Sequence, residues 1–231
     1  MEYTRNAIIE KCKSKFDELR SFYQADFVNY RGKTGDTDEY YTEVIAEFLC
    51  ENIETFMNGL PKITRKSSYK IFSHNGKYNE KSNRLEEIIA MQMYNQSKNG
   101  EGYSFIGNMI DYQTPLKSSR NDIAGKIDLL AYNGDTLFIL ELKKPDSEET
   151  MLRCVLEGYT YLKTVDLDKL ISDFCLPTDT KAVACPFVFK GRAQHHEMRE
   201  SRPNLKKLMA LLQSKPYYIS LENEKYTVSE G

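Results

Sequence analysis

Tryptophan is absent from this chain, and histidine occurs three times. Two of the histidines, His195 and His196, are sequence neighbours that do not face each other on a helix, so a shared metal is not expected there. His74 reads as a loop residue, and a histidine-based nuclease or protease is poorly supported. The five cysteines, Cys12, Cys50, Cys154, Cys175 and Cys185, are scattered without a CxxC pair. That spacing suggests neither a zinc site nor a disulfide framework, and free thiols in a reducing cytoplasm are the simplest reading. No apolar run is long enough to span a bilayer, and the opening MEYTRNAIIEKCKSK lacks a signal-peptide pattern, so no membrane partner is expected. The phosphate cradles GxxxxGK[ST] and GxGxxG are missing, as is the GxSxG elbow. A large excess of one charge is missing too: the formal net charge is −2, which does not favour a nucleic-acid binder.

What is present is a globular composition, 40% hydrophobic and 29% charged over 231 residues. This is enough for one good core and a small helical appendage. The most informative stretch runs from Gly125 to Pro145, GKIDLLAYNGDTLFILELKKP. Asn133-Gly134 between two β-prone runs predicts a hairpin, because both residues tolerate positive φ. The second run is almost continuously apolar up to Leu142, so its strand is expected to be buried on both faces. Side chains alternate along a strand, so Glu141 and Lys143 share one face while Leu142 packs on the other.

An acid and a base on a buried face need a partner. Magnesium prefers hard oxygen ligands and keeps several waters. Asp128 and Glu141 can supply two carboxylates, and the Leu142 backbone carbonyl a third oxygen. Lys143 would then lie beside the metal, placed to orient or deprotonate a water and to offset charge on a phosphate. The bland alternative is a surface hairpin in which Glu141 and Lys143 form a solvated ion pair and Asp128 ends a strand.

Asp128, a short hairpin and Glu141-Leu142-Lys143 together resemble the PD-(D/E)xK nuclease superfamily, over about Asn83 to Phe189. The resemblance implies an α/β, restriction-endonuclease-like fold: an α-β-β-β-α-β core with a mixed central sheet, here with an N-terminal helical region added. It also implies a Mg²⁺-dependent (Mn²⁺ possible) hydrolase of phosphodiester bonds, with Asp128 and Glu141 as metal ligands and Lys143 as the catalytic lysine. Ile127 stands where the name-giving proline would be. The first core helix of the superfamily often adds an acid near the metal; here Glu87 is the better candidate and Glu86 the second. The helix after the hairpin often places a polar residue there too, with Arg153, Glu157 and Tyr161 as candidates. DNA is the expected substrate and a homodimer is plausible by analogy. The alternative is a non-catalytic nucleic-acid- or protein-binding module that retains the fold, or an unrelated α/β protein.

Along the chain, Ile8, Ile9, Cys12, Phe16, Leu19 and Phe22 predict a helix from about Glu2 to Gln24. Thr37 or Asp38 is expected to cap a second helix that stops near Gly59-Leu60-Pro61. Residues 1–60 are thus a helical region, serving as a cap, a dimerisation element or a target contact, and residues 61–231 the nuclease-like domain. A helix is expected from Asn83 to Asn95 and a strand from Tyr103 to Pro115. Lys117 to Asp122 reads as a mobile loop. Asp146 with Glu149 suggests a capping box for the next helix. Lys181 to Lys190 reads as a strand in which Pro186 hints at an edge or a bulge. A short helix over Asn204 to Gln213 and a terminal hairpin follow.

Two basic groups are candidates for holding a phosphate backbone. Lys62, Arg65, Lys66 and Lys70 lead the first, with Lys77, Lys81 and Arg84 further on and Tyr69, Phe72 and Tyr78 interleaved. Lys117 and Arg120 can join it from their loop. The second runs through Lys190, Arg192, Arg199, Arg202, Lys206 and Lys207. Solvated surface faces are the equally ordinary reading of either group.

Overall fold

The apolar run after Asn133 does form a strand, and its residues from Leu137 to Leu142 are all buried. In the computed structural model, which describes residues 2–78, 83–100, 102–117 and 125–231, it is the third strand of a six-stranded mixed sheet. The strands are β1 (Asn108–Pro115), β2 (Lys126–Tyr132), β3 (Thr136–Leu142), β4 (Lys181–Phe189), β5 (Tyr217–Glu222) and β6 (Lys225–Glu230), and their spatial order is their chain order. The pairs β1–β2, β2–β3 and β5–β6 are antiparallel, whereas β3–β4 and β4–β5 are parallel. The helices are α1 (Arg5–Lys15), α2 (Tyr41–Glu51), α3 (Ile53–Asn58), α4 (Leu85–Lys98), α5 (Met151–Thr164), α6 (Leu167–Asp173), α7 (Ala193–Arg199) and α8 (Pro203–Leu211). The protein is therefore of mixed α/β class.

Strand alternation sorts the core into two layers. Leu137 and Ile139 of β3 face one apolar cluster with Val155, Leu156 and Tyr159 of α5. Phe138, Leu140 and Leu142 face the other, with Ile89 and Met93 of α4. The first cluster also takes in Ile8, Cys12, Phe22, Val44 and Leu49. The 3-10 segments that follow α1 pack against α5, α2 packs on α8, and the N-terminal residues share the α5 core.

Helix α4 touches β1, β2 and β6, so the sheet curls around it. Two of its adjacent side chains meet opposite margins of the sheet. The Gln96 amide donates to the Tyr226 carbonyl (2.8 Å) and accepts from its backbone N–H (2.9 Å), and Ser97 Oγ accepts from the Met109 N–H (2.8 Å).

Several sequence expectations are corrected. The helix expected over Glu2–Gln24 breaks: after Lys15 the chain continues as a 3-10 segment, Phe16–Gln24, with non-helical backbone at Glu18. Neither Thr37 nor Asp38 caps the second helix, which starts at Tyr41; Asp38 is a turn residue with φ of 55°. In the hairpin only Gly134 takes positive φ (103°). Asn133 instead accepts the Asp135 and Thr136 N–H groups through its side-chain oxygen, at 3.1 and 2.9 Å. Pro186 lies in a central strand, not at an edge. Phe187 gives its carbonyl to the Lys143 N–H on the β3 side, so the Pro186 nitrogen faces β5, whose pairing starts only at Phe187. The missing donor thus leaves no ladder bond unmade. The expected first strand is shorter, starting at Asn108.

Asp146 does not cap α5. Thr150 does, accepting the Arg153 N–H (3.2 Å) while donating to the Val28 carbonyl (2.9 Å). Thr150→Ala is expected to lower stability by about 1–2 kcal/mol in urea denaturation. Asp146→Ala is expected to leave the midpoint unchanged, since Asp146 is exposed.

A candidate metal and catalytic centre

The register of the hairpin brings the two predicted carboxylates together. Leu129 pairs with Leu140, so one step further Asp128 stands opposite Glu141. On the other side of β2, the flanking pairs Tyr112–Leu129 and Thr114–Ile127 set Gln113 beside Asp128. Gln113 Nε2 donates to Asp128 Oδ1 (3.0 Å), and the Leu142 N–H donates to Asp128 Oδ2 (3.0 Å). The N–H and C=O of one strand residue point the same way, so the Leu142 carbonyl looks toward the same gap. Gln113 holds this post with φ of 48°, a backbone conformation that non-glycine residues rarely adopt.

Glu141 and Lys143 do share one face, as alternation predicts, and the face is covered by α5. Lys143 is 6% exposed and Glu141 3%. Glycine at 158 lets α5 lie close above them: an added Cβ there would stand 3.4 Å from the Glu141 Cβ. Lys143 Nζ meets three carboxylates, Glu141 Oε1 (2.7 Å), Glu149 Oε2 (2.7 Å) and Glu157 Oε2 (3.1 Å). Tyr161 donates to Glu157 Oε1 (2.9 Å). This is not a solvated surface ion pair.

One ammonium among so many acids sets the electrostatics. Burial alone would pull Lys143 toward neutrality, but Glu141 and Glu157 overcome it and hold the side chain far above its ordinary pKa, as a firm cation. Burial, then the charge of Glu157, pushes the Glu141 carboxyl well up, against the pull of Lys143. Glu157 goes the other way: burial opposes its charge, yet Lys143 and hydrogen bonds from Glu141 and Tyr161 keep it below the usual carboxylate range. Glu141 and Glu157 are thus pushed in opposite directions around one shared cation. Asp128 is raised to about 7, by burial first and then by Glu157 and Glu86, with Lys143 opposing. Carboxyls raised in this way mark a place where positive charge is in deficit.

Of the two acids on α4, Glu86 comes closer to the strand ends. Its Oε1 accepts the Lys144 N–H (3.1 Å), whereas Glu87 is turned to Arg84 (3.2 Å) and Lys126 (3.9 Å). Both line a cleft of about 340 Å³ with Gln113, Asp128 and Lys144. Asp128 faces that cleft, and Glu141 and Lys143 lie behind it. A second cavity, about 310 Å³, lies beyond Tyr161, between the 3-10 segment and α5. Among the described residues no three acidic, histidine or cysteine side chains form a ready-made metal cage.

The basic residues are less uniform than their spacing suggests. Lys62, Lys66 and Lys70 are exposed. Arg65 is buried, and its guanidinium is spent on the carbonyls of Ser68 and Lys117, so it holds the chain and does not face solvent. Lys117 is half-buried. Arg120 and Lys81 lie outside the described residues. In the second group Arg202 is also internal: it lies over the Tyr40 ring (3.3 Å) and bonds Thr42 and Glu200.

Sequence reasoning missed Gln113 and the role of Glu149. Glu149 lies just before the Thr150 cap of α5, and its part depends on the burial of Lys143. Gln113 left no signal, because its part depends on strand pairing.

Comparison with protein-family models, with curated proteins and with solved structures finds no match. No helix among the described residues is long and apolar enough to cross a membrane.

Proposed function

We propose that the protein is a metal-dependent nuclease of the restriction-endonuclease-like kind, hydrolysing phosphodiester bonds of DNA as an endonuclease. The observation that carries this reading is the placement of Asp128 opposite Glu141, with Lys143 against Glu141, at the carboxyl end of a buried strand. The chain order α4-β1-β2-β3-α5-β4 supports it, being the α-β-β-β-α-β order of such a core. The donor set fits Mg²⁺ or Mn²⁺: two carboxylates in a cluster where one ammonium faces several acids, with a carbonyl beside them and a cleft at Asp128. When bound, the metal supplies Lewis-acid stabilisation of the scissile phosphate and a more acidic water. Asp128 and Glu141 would hold it, and Glu86 and Glu87 stand at the cleft rim. Lys143, a firm cation, orients the attacking water and offsets charge on the phosphate; it does not serve as a base in this state. Gln113 and the Leu142 N–H fix the Asp128 carboxylate in place.

The test is incubation of purified protein with plasmid and with single-stranded DNA, in Mg²⁺, in Mn²⁺ and in EDTA. Metal-dependent nicking or linearisation is the expected result. Intact DNA under every metal condition argues for the second reading, a non-catalytic module that keeps this fold. One observation favours that second reading: Lys143 is saturated by three carboxylates, as in a structural ion network. Calorimetry separates the two, because a purely structural network takes up no Mg²⁺ or Mn²⁺.

A further inference from the structure

Phe72 is 92% exposed, the most open of the large apolar side chains. It sits at the tip of a tight turn, closed by the His74 N–H donating to the Ile71 carbonyl (3.0 Å). The chain is pinned on both sides of that tip. Before it, Tyr69 is fully buried; its N–H donates to Asp173 Oδ2 (2.8 Å) and its hydroxyl accepts the Asp166 N–H (3.1 Å). After it, His74 Nδ1 bonds the buried Asp111 carboxylate (2.7 Å), and its ring stacks on Tyr112 with centroids 4.5 Å apart. The Gly76 N–H then donates to Tyr112 Oη (3.0 Å), and Asn95 donates to the Gly76 carbonyl (2.9 Å). A collapsing loop would bury its phenyl ring; this one is held so that the ring stays out.

The surroundings state what the ring is for. From Lys62 to Tyr78 the sequence holds no acid, and Lys66, Lys70 and Lys77, which flank the tip in sequence, are exposed. The anchor Asp111 lies two residues along β1 from Gln113, so the turn stands beside the cleft that holds Asp128. A protein partner would call for a contiguous apolar patch. Among the described residues the other exposed large apolar ones, Leu85, Phe105, Leu211 and Leu221, belong to other elements. A lone planar ring amid lysines matches a nucleobase attached to phosphates.

We infer that the Ile71–His74 turn is a single-strand binding element, in which Phe72 stacks on an unpaired base while Lys66, Lys70 and Lys77 hold the flanking phosphates. The inference rests on the nuclease reading for the class of polymer. Since the chain has no tryptophan, Phe72→Trp installs a single reporter at the tip. The experiment is titration of this variant with oligodeoxythymidylate in EDTA, in a Lys143→Arg background. Saturable quenching of the emission is expected, with weaker quenching by a duplex of the same length. In parallel, Phe72→Ala is expected to weaken oligonucleotide binding about tenfold, while Phe72→Trp retains it. Unchanged emission, or equal affinity of Phe72→Ala and the unsubstituted chain, overturns the inference. Quenching by duplex as strong as by single strand overturns its unpaired-base part. Cleavage plays no part in this readout. Cleavage is read separately in Mg²⁺ with Lys143 intact: quenching with no such cleavage counts against the metal centre alone, and cleavage without quenching counts against Phe72 alone.

Discussion

Lys143→Ala is expected to reduce DNA cleavage about 10²- to 10³-fold, the usual loss when a preorganised charge at a reacting centre is removed. No neighbour can replace it: the Lys144 ammonium turns to Asp146 (3.5 Å), and Arg153 is engaged by Glu149 (3.1 Å). The same change removes the cation that meets Glu141, Glu149 and Glu157 together, so it also costs stability, about 3–5 kcal/mol for a buried charge cluster that loses one partner. The two effects separate with Lys143→Arg. That variant keeps the positive charge and is expected to remain folded by circular dichroism, yet to cut poorly, because a planar guanidinium cannot reproduce a point charge aimed at one water. Wild-type cutting rates in a folded Lys143→Ala protein would remove Lys143 from the mechanism.

Asp128→Asn is expected to act in opposite directions on activity and stability. Cleavage falls by about 10²-fold or more, since a neutral amide is a poor magnesium ligand. Stability of the metal-free protein at pH 8 rises. The folded carboxyl titrates at about 7, above its ordinary value, so between about pH 4 and 7 the folded chain binds more protons than the unfolded chain. Such a group costs nothing below pH 4 and opposes folding increasingly as pH climbs through 7. Allowing for its partial exposure, the penalty at pH 8 is about 2 kcal/mol. Urea denaturation of wild type and Asp128→Asn at pH 5 and pH 8 measures it. The gap in favour of the variant should be under half as large at pH 5 as at pH 8. A gap independent of pH would mean that Asp128 is not the titrating group. Added Mg²⁺ should stabilise wild type at pH 8 and leave Asp128→Asn unmoved, by simple linkage between binding and folding.

The hairpin was legible because three local signals agreed: a turn pair, an apolar run and alternation that set Glu141 and Lys143 on one face. Helices α4 and α8 were legible for the same kind of reason, from apolar residues at three- and four-residue spacing. What was not legible depended on partners distant in sequence. Thr150 caps α5 in place of Asp146 because the chain leading into the helix is held by Val28 and Asn29, more than a hundred residues earlier. Arg65 reads as one of a row of cations, and its inward turn depends in part on the Lys117 carbonyl, far along the chain. Glu149 looked like half of a capping box, and burial of Lys143 gave it another role. The 3-10 stretch from Phe16 kept its apolar period while its backbone left the α region at Glu18. Periodicity reports which side is buried and is blind to how tightly the turn is wound.

The grip of α4 on both rims of the sheet bears on how copies of this protein can associate. Polymerising β-proteins recruit one another through vacant backbone groups at a rim strand. Here Gln96 behaves as a one-residue counterfeit strand on Tyr226, and Ser97 engages the opposite rim at Met109. Strand donation from a second molecule is thereby discouraged at both places. Contact between two molecules through helices or loops is favoured over contact through these rim residues. Gln96→Ala, which frees the rim at Tyr226, is the change expected to raise self-association on concentration, readable by light scattering.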